Sequence, residues 1–150
     1  MRALLALTAP GEPLHGIEVQ FQHHAYDWND PAPLARLLAG LTGRGGIIAA
    51  SSEGGLFEYG TDDAVVANLT ALARAGVPII AGSVTSSSEG RKRMIAQTRF
   101  RLFARGLEGF APLAERSGYA IVESRTAVLS EQVLLRSRGS LLSSQPSLRV

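Results

Sequence analysis

The chain contains no cysteine among its 150 residues. This absence excludes disulfide bonds, thiolate nucleophiles and cysteine-ligated zinc sites. The sequence also lacks any apolar run near the ~20 residues that a membrane-spanning helix requires. Its leucine-containing N-terminus is short for a signal peptide, and the Pro10–Pro13 stretch that follows is not a small-residue cleavage site. We therefore expect a cytoplasmic protein.

A large excess of either charge is also missing, because the formal net charge is only +2. The basic residues are almost all arginine, which accounts for the isoelectric point of about 9.5. So small an excess gives little support for a nucleic-acid partner. The sequence has no G-x-S-x-G, Walker A or H-E-x-x-H motif, which argues against an ordinary hydrolase, a P-loop enzyme and a zincin.

The composition is that of an ordinary globular protein, with 45% hydrophobic and 19% charged residues. A chain of this length buries roughly 70% of its unfolded surface as one domain. We predict a single domain over residues 1–138. The serine-rich residues 139–150 offer little to bury and are predicted to be a disordered tail.

The first half of the chain predicts two strands and two helices. Residues 17–22 alternate apolar and polar side chains, which predicts a strand with one buried face. Asp30 and Pro31 then predict a helix start, with leucines 34, 37, 38 and 41 on one face and a stop at residues 43–46. A second strand is predicted at residues 47–50, and a second helix from Asp62, capped by Thr61, to Gly76.

The second half predicts three further strands. The first covers residues 77–81 and precedes a helix capped at residues 86–89, whose apolar stripe would be Ala96, Phe100, Phe103 and Leu107. Gly106 or Gly109 is predicted to end that helix, and a short last helix bearing Phe110, Leu113 and Ala114 ends at Gly118. Residues 119–128 and 132–136 are predicted to form an antiparallel pair.

This alternation of strands and helices predicts the α/β class. We expect a mostly parallel, Rossmann-like sheet with helices on both faces and a C-terminal antiparallel strand pair. In open sheets of this kind, ligands bind outside the carboxyl ends of the strands. The polar segments Gln22–Trp28 and Ser51–Tyr59 follow two predicted strands, and we expect them to face a common cleft.

Three segments resemble the C-terminal half of a class I S-adenosylmethionine-dependent methyltransferase. They are the polar and aromatic stretch Gln22–Trp28, the glycine-led strand Gly45–Glu53, and Leu113–Val122, which leads into the final strand pair. The resemblance implies that Gln22–Trp28 meets the methyl group. It implies S-adenosylmethionine as the cofactor, with Gln22 and His23 contacting it, and methyl transfer to an oxygen or nitrogen nucleophile.

The sequence departs from this family in its first half. The glycine-rich cofactor loop and the acidic residue that holds the ribose belong to an N-terminal half with no counterpart here. Residues 43–46 are no substitute, because they precede a strand instead of joining a strand to a helix. The resemblance therefore implies a fragment, a degenerate copy or one half of an assembly, with weak or no cofactor binding by this chain alone.

The catalytic candidates are His24, Glu53 and His23. Imidazole titrates near neutral pH and suits a general base, although adjacent side chains of an extended segment point to opposite faces. For the same reason we expect no metal site at this histidine pair. Glu53 is the preferred carboxylate, because it ends a buried strand beside two glycines that permit close backbone approach. A helix cap is the alternative role for such a carboxylate.

The substrate-binding candidates are Tyr26, Asp27, Trp28, Phe57, Glu58 and Tyr59. Tyr26 and Trp28 could form an aromatic wall for a substrate or a methylsulfonium, with packing under the first helix as the alternative. Asp27 and Glu58 could orient a substrate amine or the cofactor, with helix capping as the alternative.

Positive side chains are concentrated near the third predicted helix, at positions 91, 92, 93, 99, 101 and 105. They could contact RNA, DNA or an acidic partner, but the basic face of the predicted helix has no interleaved aromatic side chains, and an exposed helix face is usually charged for solvation. We do not expect a nucleic-acid partner. Residues 83–88 could hold an anion at the start of this helix, with a plain cap as the alternative.

The leading hypothesis is a methyltransferase-like domain that supplies the substrate side of a methyl-transfer site. The alternatives are a non-enzymatic dimerisation or partner-binding module and a nucleotide-binding regulator. Because strand 17–22 is predicted to lie at an exposed sheet edge, we expect a homodimer or association with a missing N-terminal half. No membrane partner is expected.

Overall fold

A four-stranded sheet organises the part of the chain that the computed structural model describes, which is residues 6–99 and 101–139. Its strands are β1 (Ala49–Ser52), β2 (Ile79–Thr85), β3 (Tyr119–Thr126) and β4 (Ser130–Ser137). Their spatial order is β1-β2-β4-β3. β1 runs parallel to β2, while β4 lies between β2 and β3 and runs antiparallel to both.

Five helices lie wholly within the described residues. They are α1 (Ala32–Thr42), α2 (Leu56–Tyr59), α3 (Asp62–Arg74), α4 (Glu89–Ala96) and α5 (Gly106–Arg116). α2 is a single turn that directly follows β1. α3 packs against both α1 and α5, and α5 packs on the sheet.

The predicted α/β class is confirmed, but the sheet is mixed, so the prediction of a mostly parallel sheet is wrong. One parallel pair is present in the described sheet, since β4 enters between β2 and β3 with reversed direction. The predicted strand at residues 17–22 is also wrong, because this segment is not a strand. Ile17 and Phe21 are 56% and 50% exposed. The alternating apolar side chains of this segment therefore do not pack as one buried face. An alternating pattern also needs a neighbouring strand to pair with before it forms a strand.

Both helices of the first half form where local signals place them. In α1, Asp30 Oδ1 accepts a hydrogen bond from Ala32 N at 3.0 Å, and Leu38 is buried. In α3, Thr61 Oγ1 accepts from Ala64 N at 3.2 Å, while Val65, Leu69 and Leu72 are buried. The predicted cap and buried face of α3 are confirmed. Caps and spacing are local, so the sequence alone determines them.

The two parallel strands lie later in the chain than predicted. β1 covers 49–52 instead of 47–50, and β2 covers 79–85 instead of 77–81. Their ends are polar, and Ser83 and Thr85 are nevertheless buried. β2 extends because β4 pairs with it along its whole length, from Ile79 to Thr85. Cross-strand pairing therefore carries this strand beyond its apolar run.

The predicted apolar stripe of the third helix is wrong. α4 ends at Ala96 and buries none of its residues. Phe103 lies outside any helix, and Leu107 belongs to α5. Gly106, which was predicted to end a helix, begins α5 with φ +58°. α5 buries Phe110, Leu113 and Ala114 as predicted.

The predicted C-terminal antiparallel pair is confirmed as β3 and β4, with a register shift between Ile121 and Glu123. Gly118, with φ +87°, makes the turn from α5 into β3, and this positive φ requires glycine. Of the predicted tail over residues 139–150, Gly139 lies in a helical turn after β4, and residues 140–150 lie outside the described residues, as does Phe100.

The core forms where α2, α5 and the sheet meet. The rings of Phe57 and Phe110 lie 4.7 Å apart, and both residues are fully buried. Phe57 also lies against Gly82 of β2, where an added Cβ would approach its ring to 2.6 Å. The missing side chain of Gly82 therefore allows the turn after β1 to sit directly on the sheet.

Candidate functional site

A cavity of about 380 Å³ opens where β1 ends. Its wall is mainly apolar and includes Leu34 of α1, Leu72 of α3 and Ile80 of β2. Its polar groups come from Ser51, Ser52 and Glu53 at the end of β1. A largely apolar cavity with a few convergent polar groups, placed at the carboxyl end of a parallel strand, is a typical ligand site.

The aromatic wall of this cavity is formed by Tyr26 and Trp28, which buried Asn68 of α3 holds in place. Asn68 Nδ2 donates to the Trp28 carbonyl oxygen at 2.8 Å and to the Ala64 carbonyl oxygen at 2.8 Å. Asn68 Oδ1 accepts a short hydrogen bond from the Tyr26 hydroxyl. One side chain thus ties the irregular segment before α1 to the middle of α3.

Burial raises the pKa of the Tyr26 phenol, and the carboxylates of Asp30 and Asp27 raise it further. All three effects disfavour the phenolate. Tyr26 is therefore a neutral hydrogen-bond donor at physiological pH, which is the form that the bond to Asn68 requires.

The turn from β1 into α2 is held by serine hydroxyls. Ser52 Oγ accepts from Phe57 N at 3.4 Å, and Ser83 Oγ of the neighbouring strand accepts from Gly54 N at 3.4 Å. Ser83 Oγ also donates to Glu58 Oε1 at 3.5 Å. Glu58 thus contacts the sheet through Ser83.

Arg105 fastens the far side of the same turn. Its guanidinium donates to the carbonyl oxygens of Phe57 at 3.0 Å and Gly60 at 2.6 Å, and to Asp62 Oδ1 at 2.8 Å. The guanidinium also lies 4.6 Å from the centre of the Phe103 ring. With a side chain only 6% exposed, Arg105 is a structural clamp and not part of an exposed basic helix face.

Four of the predicted site residues line the cavity together: Tyr26, Trp28, Glu53 and Phe57. Of these, Phe57 is also a core residue, with 1% exposure. His24 lies instead on a neighbouring opening of about 520 Å³, which it shares with Tyr26 and Arg36.

The other predicted site residues do not join this cavity. Gln22 and His23 are exposed, and no hydrogen bond joins their side chains to another described residue. Asp27 Oδ1 accepts from the backbone N and the Nδ2 of Asn29 at 2.9 and 2.8 Å, as in a local turn. Tyr59 is half-buried in α2.

Sequence reasoning missed Asn68 and Arg105. Asn68 has a detectable signal, since it shares the buried face of α3 with Ala64, Val65 and Leu72 at helical spacing, where an amide must find partners. Arg105 has no such signal, because its partners lie more than forty residues away along the chain.

The basic residues near α4 are mostly exposed, and Lys92 Nζ pairs with Glu89 Oε1 at 2.8 Å within the helix. Ser88 Oγ accepts from Arg91 N at 3.3 Å, which is the geometry of a plain helix cap. Within residues 6–99 and 101–139, no helix is long and apolar enough to cross a membrane.

Comparison with known proteins identifies no relative, so the function of the cavity must be argued from its geometry. No protein-family model matches the chain, and a search of curated proteins also found no match.

Proposed function

We propose that this chain is a methyltransferase-like domain that supplies the acceptor-substrate side of an S-adenosylmethionine-dependent methyl-transfer site. One observation carries the proposal: Tyr26, Trp28 and Glu53 converge on a single cavity at the end of β1. These residues come from the two segments on which the family resemblance depends. They form a cavity wide enough for a small acceptor, since typical ligand cavities measure ~300–1,000 Å³.

The strand order supports the same proposal. The resemblance implies a final antiparallel strand pair at the end of the sheet, and β3 and β4 form such a pair beside the parallel pair of β1 and β2. We infer that the described sheet corresponds to that end of the family's sheet. Because one fold supports many functions, the cavity and not the topology carries the functional argument.

S-adenosylmethionine would supply a methyl group activated by a sulfonium. The aromatic faces of Tyr26 and Trp28 suit such a cationic group. Gln22 and His23, which the resemblance assigns to the cofactor, do not line this cavity. We therefore expect the chain alone to bind the cofactor weakly, and a second polypeptide segment to provide the rest of the cofactor site.

Among the catalytic candidates, Glu53 is the one that the geometry favours, because it is the one of the three that lines this cavity. We propose that it orients the acceptor and receives its proton, and that His24, on the adjoining opening, is the second candidate. His23 remains a sequence-based candidate.

Trp28 provides the test, because it is the only tryptophan in the chain and its fluorescence reports on the cavity directly. We expect S-adenosylmethionine to change Trp28 emission saturably at millimolar concentration. S-adenosylhomocysteine, which lacks the positive sulfur, should bind more weakly. Transfer of a labelled methyl group to small amine and hydroxyl acceptors is measured on the same preparation. An emission spectrum that millimolar S-adenosylmethionine leaves unchanged would contradict the proposal, because the aromatic wall would then not receive the sulfonium.

A non-enzymatic association module is the second candidate function, and the free edge of β1 favours it. In the described sheet, β1 pairs on one side only. The partner that we propose is a second copy of the chain or an N-terminal half-domain, and a cytoplasmic location remains our prediction. No observation in the described structure favours the nucleotide-binding regulator.

A further inference from the structure

The charge of the cavity at the end of β1 is unbalanced. Glu53 is the one ionised side chain among the described residues that line it, and no lysine, arginine or histidine lines it. An anionic ligand would therefore meet a carboxylate without a compensating cation. A cationic ligand would meet an attractive potential, which the apolar walls strengthen by limiting the water around it.

Two neighbouring cavities differ from this one because each has an arginine in its lining. The opening beside His24 includes Arg36, and the cavity on the other side of Glu53 includes Arg125 together with Glu123. Arg125 Nε pairs with Glu123 Oε1 at 3.2 Å, so much of the charge in that second cavity is already neutralised. Glu53 borders that second cavity as well, so the cavity that holds the aromatic wall is distinguished by having no basic residue in its lining, not by a larger number of carboxylates.

The aromatic wall favours the same kind of ligand. The Tyr26 hydroxyl is already bonded to Asn68, so Tyr26 offers a ligand mainly its ring. Trp28 lines the cavity too, and its hydrogen bond to Asn68 uses its backbone carbonyl oxygen, so the indole ring is not engaged by that bond. Ring faces attract an ammonium group, and the attraction increases when the group loses water.

Hydrogen-bond acceptors are also available for an ammonium group. Ser51 is exposed at the cavity, and Glu53 follows two residues later. Ser52 Oγ already accepts from Phe57 N, so Ser51 is the freer hydroxyl of the two. An ammonium has three donors and no acceptor, which matches a carboxylate and a hydroxyl oxygen.

We infer that this cavity binds a protonated primary amine attached to a small apolar body, with Glu53 and the faces of Tyr26 and Trp28 around the ammonium and the apolar body against Leu34 and Leu72. The inference rests on the proposed function in one respect, which is that the amine would be the methyl acceptor. Binding of the amine itself is a separate property and is measured separately.

The test compares three probes of similar size by Trp28 fluorescence at pH 7: 2-phenylethylamine, the neutral 2-phenylethanol and the anionic phenylacetate. We expect the amine to bind about fivefold more tightly than the alcohol and more than tenfold more tightly than the acid, as expected of one partly exposed charge pair and a cation–π contact. Added salt should reduce the preference.

Glu53→Gln should reduce the preference for the amine, because it keeps the shape of the side chain and removes its charge, while the ring faces of Tyr26 and Trp28 keep a smaller preference. Glu123→Gln is the matched control, since Glu123 lies on the neighbouring cavity and its loss should leave the preference unchanged. Circular dichroism on both variants checks that each is folded.

Equal binding of the three probes, a preference that is undiminished in Glu53→Gln, or no saturable binding of any probe would each overturn the inference. Labelled methyl transfer separates it from the proposed function. A preference for the amine without methyl transfer to any acceptor would support the inferred binding site and contradict the proposed enzyme activity. Methyl transfer to hydroxyl acceptors without a preference for the amine would support the proposed enzyme activity and overturn the inference that the cavity binds an amine.

Discussion

At the scale of single residues, two buried polar side chains shape the candidate site. Asn68 satisfies backbone and side-chain groups of the segment that carries Tyr26 and Trp28. Arg105 satisfies carbonyl oxygens of the turn that carries Phe57 and Glu58. Both act on irregular backbone, which has no ladder of its own to satisfy its polar groups. The site is therefore held by side chains that need not touch a ligand.

The first prediction concerns Arg105→Met. This change keeps an apolar stem but leaves the carbonyl oxygens of Phe57 and Gly60 without their donors in a buried turn. We expect the free energy of unfolding to fall by about 2–3 kcal/mol, since each unsatisfied buried group costs roughly 1–3 kcal/mol. Urea denaturation measures it.

Arg125→Met is the matched control for that change, because the Arg125 side chain is 82% exposed and pairs with an exposed carboxylate. Its loss should change stability by less than about 0.5 kcal/mol. Equal effects of the two substitutions would show that Arg105 is no clamp.

At the scale of elements, the single turn α2 connects the site to the core. Four residues are too few to be stable as an isolated helix, so packing must supply the stability. Phe57 provides it by entering the core beside Phe110 and over Gly82. The position of the cavity therefore depends on the contact between Phe57 of α2 and Gly82 of β2, where the strand has no side chain.

The second prediction concerns Gly82→Ala. The added Cβ would lie 2.6 Å from the Phe57 ring and 2.9 Å from the Ser52 carbonyl oxygen, so α2 must shift or the strand must distort. We expect the free energy of unfolding to fall by about 1–3 kcal/mol, which is the usual cost of overpacking a core. Thermal unfolding measures stability, and Trp28 emission reports whether the adjacent cavity changes.

Gly90→Ala is the control, because no atom lies within 4 Å of an added Cβ at this position in α4. Alanine there should leave the melting temperature unchanged or raise it, since it favours a helix more than glycine does. A Gly82→Ala protein as stable as the parent would contradict the packing argument.

At the scale of the whole molecule, the two edges of the described sheet are protected differently. β3 carries Glu123 and Arg125 and a register irregularity, which are features that discourage pairing with another chain. β1 reads Ala-Ala-Ser-Ser, with no charge and no proline, and Ile47 just before it is 88% exposed. The edge expected at residues 17–22 is thus found at β1.

The third prediction is that the chain self-associates through β1. Light scattering at high concentration should show dimers, and Ala49→Lys should shift the population to monomers by placing a charge at the edge. Ser124→Lys on β3 is the control and should leave the dimer intact. A chain that is strictly monomeric at every concentration would contradict this prediction.

Much of the element structure follows from local chemistry along the chain. The cap at Thr61, the leucine and valine spacing of α1 and α3, and the short link between β3 and β4 act over a few residues, whereas the N-cap residue of α1 is Pro31 and not the predicted Asp30. They therefore produced correct helices and a correct strand pair. The sequence also predicted that Gln22–Trp28 and Ser51–Tyr59 face a common cleft, and Tyr26, Trp28, Glu53 and Phe57 from these segments line one cavity.

Long-range pairing decided the rest. The alternation at residues 17–22 is a valid strand pattern, yet a strand needs a neighbour, and the fold provides none for it within the described residues. β2 became long because β4 reached it from the far end of the chain. Asn68 and Arg105 acquired their roles from partners about forty residues away. Periodicity and capping are encoded within one or two turns of chain, whereas strand neighbours, sheet edges and buried polar contacts depend on which distant segments meet.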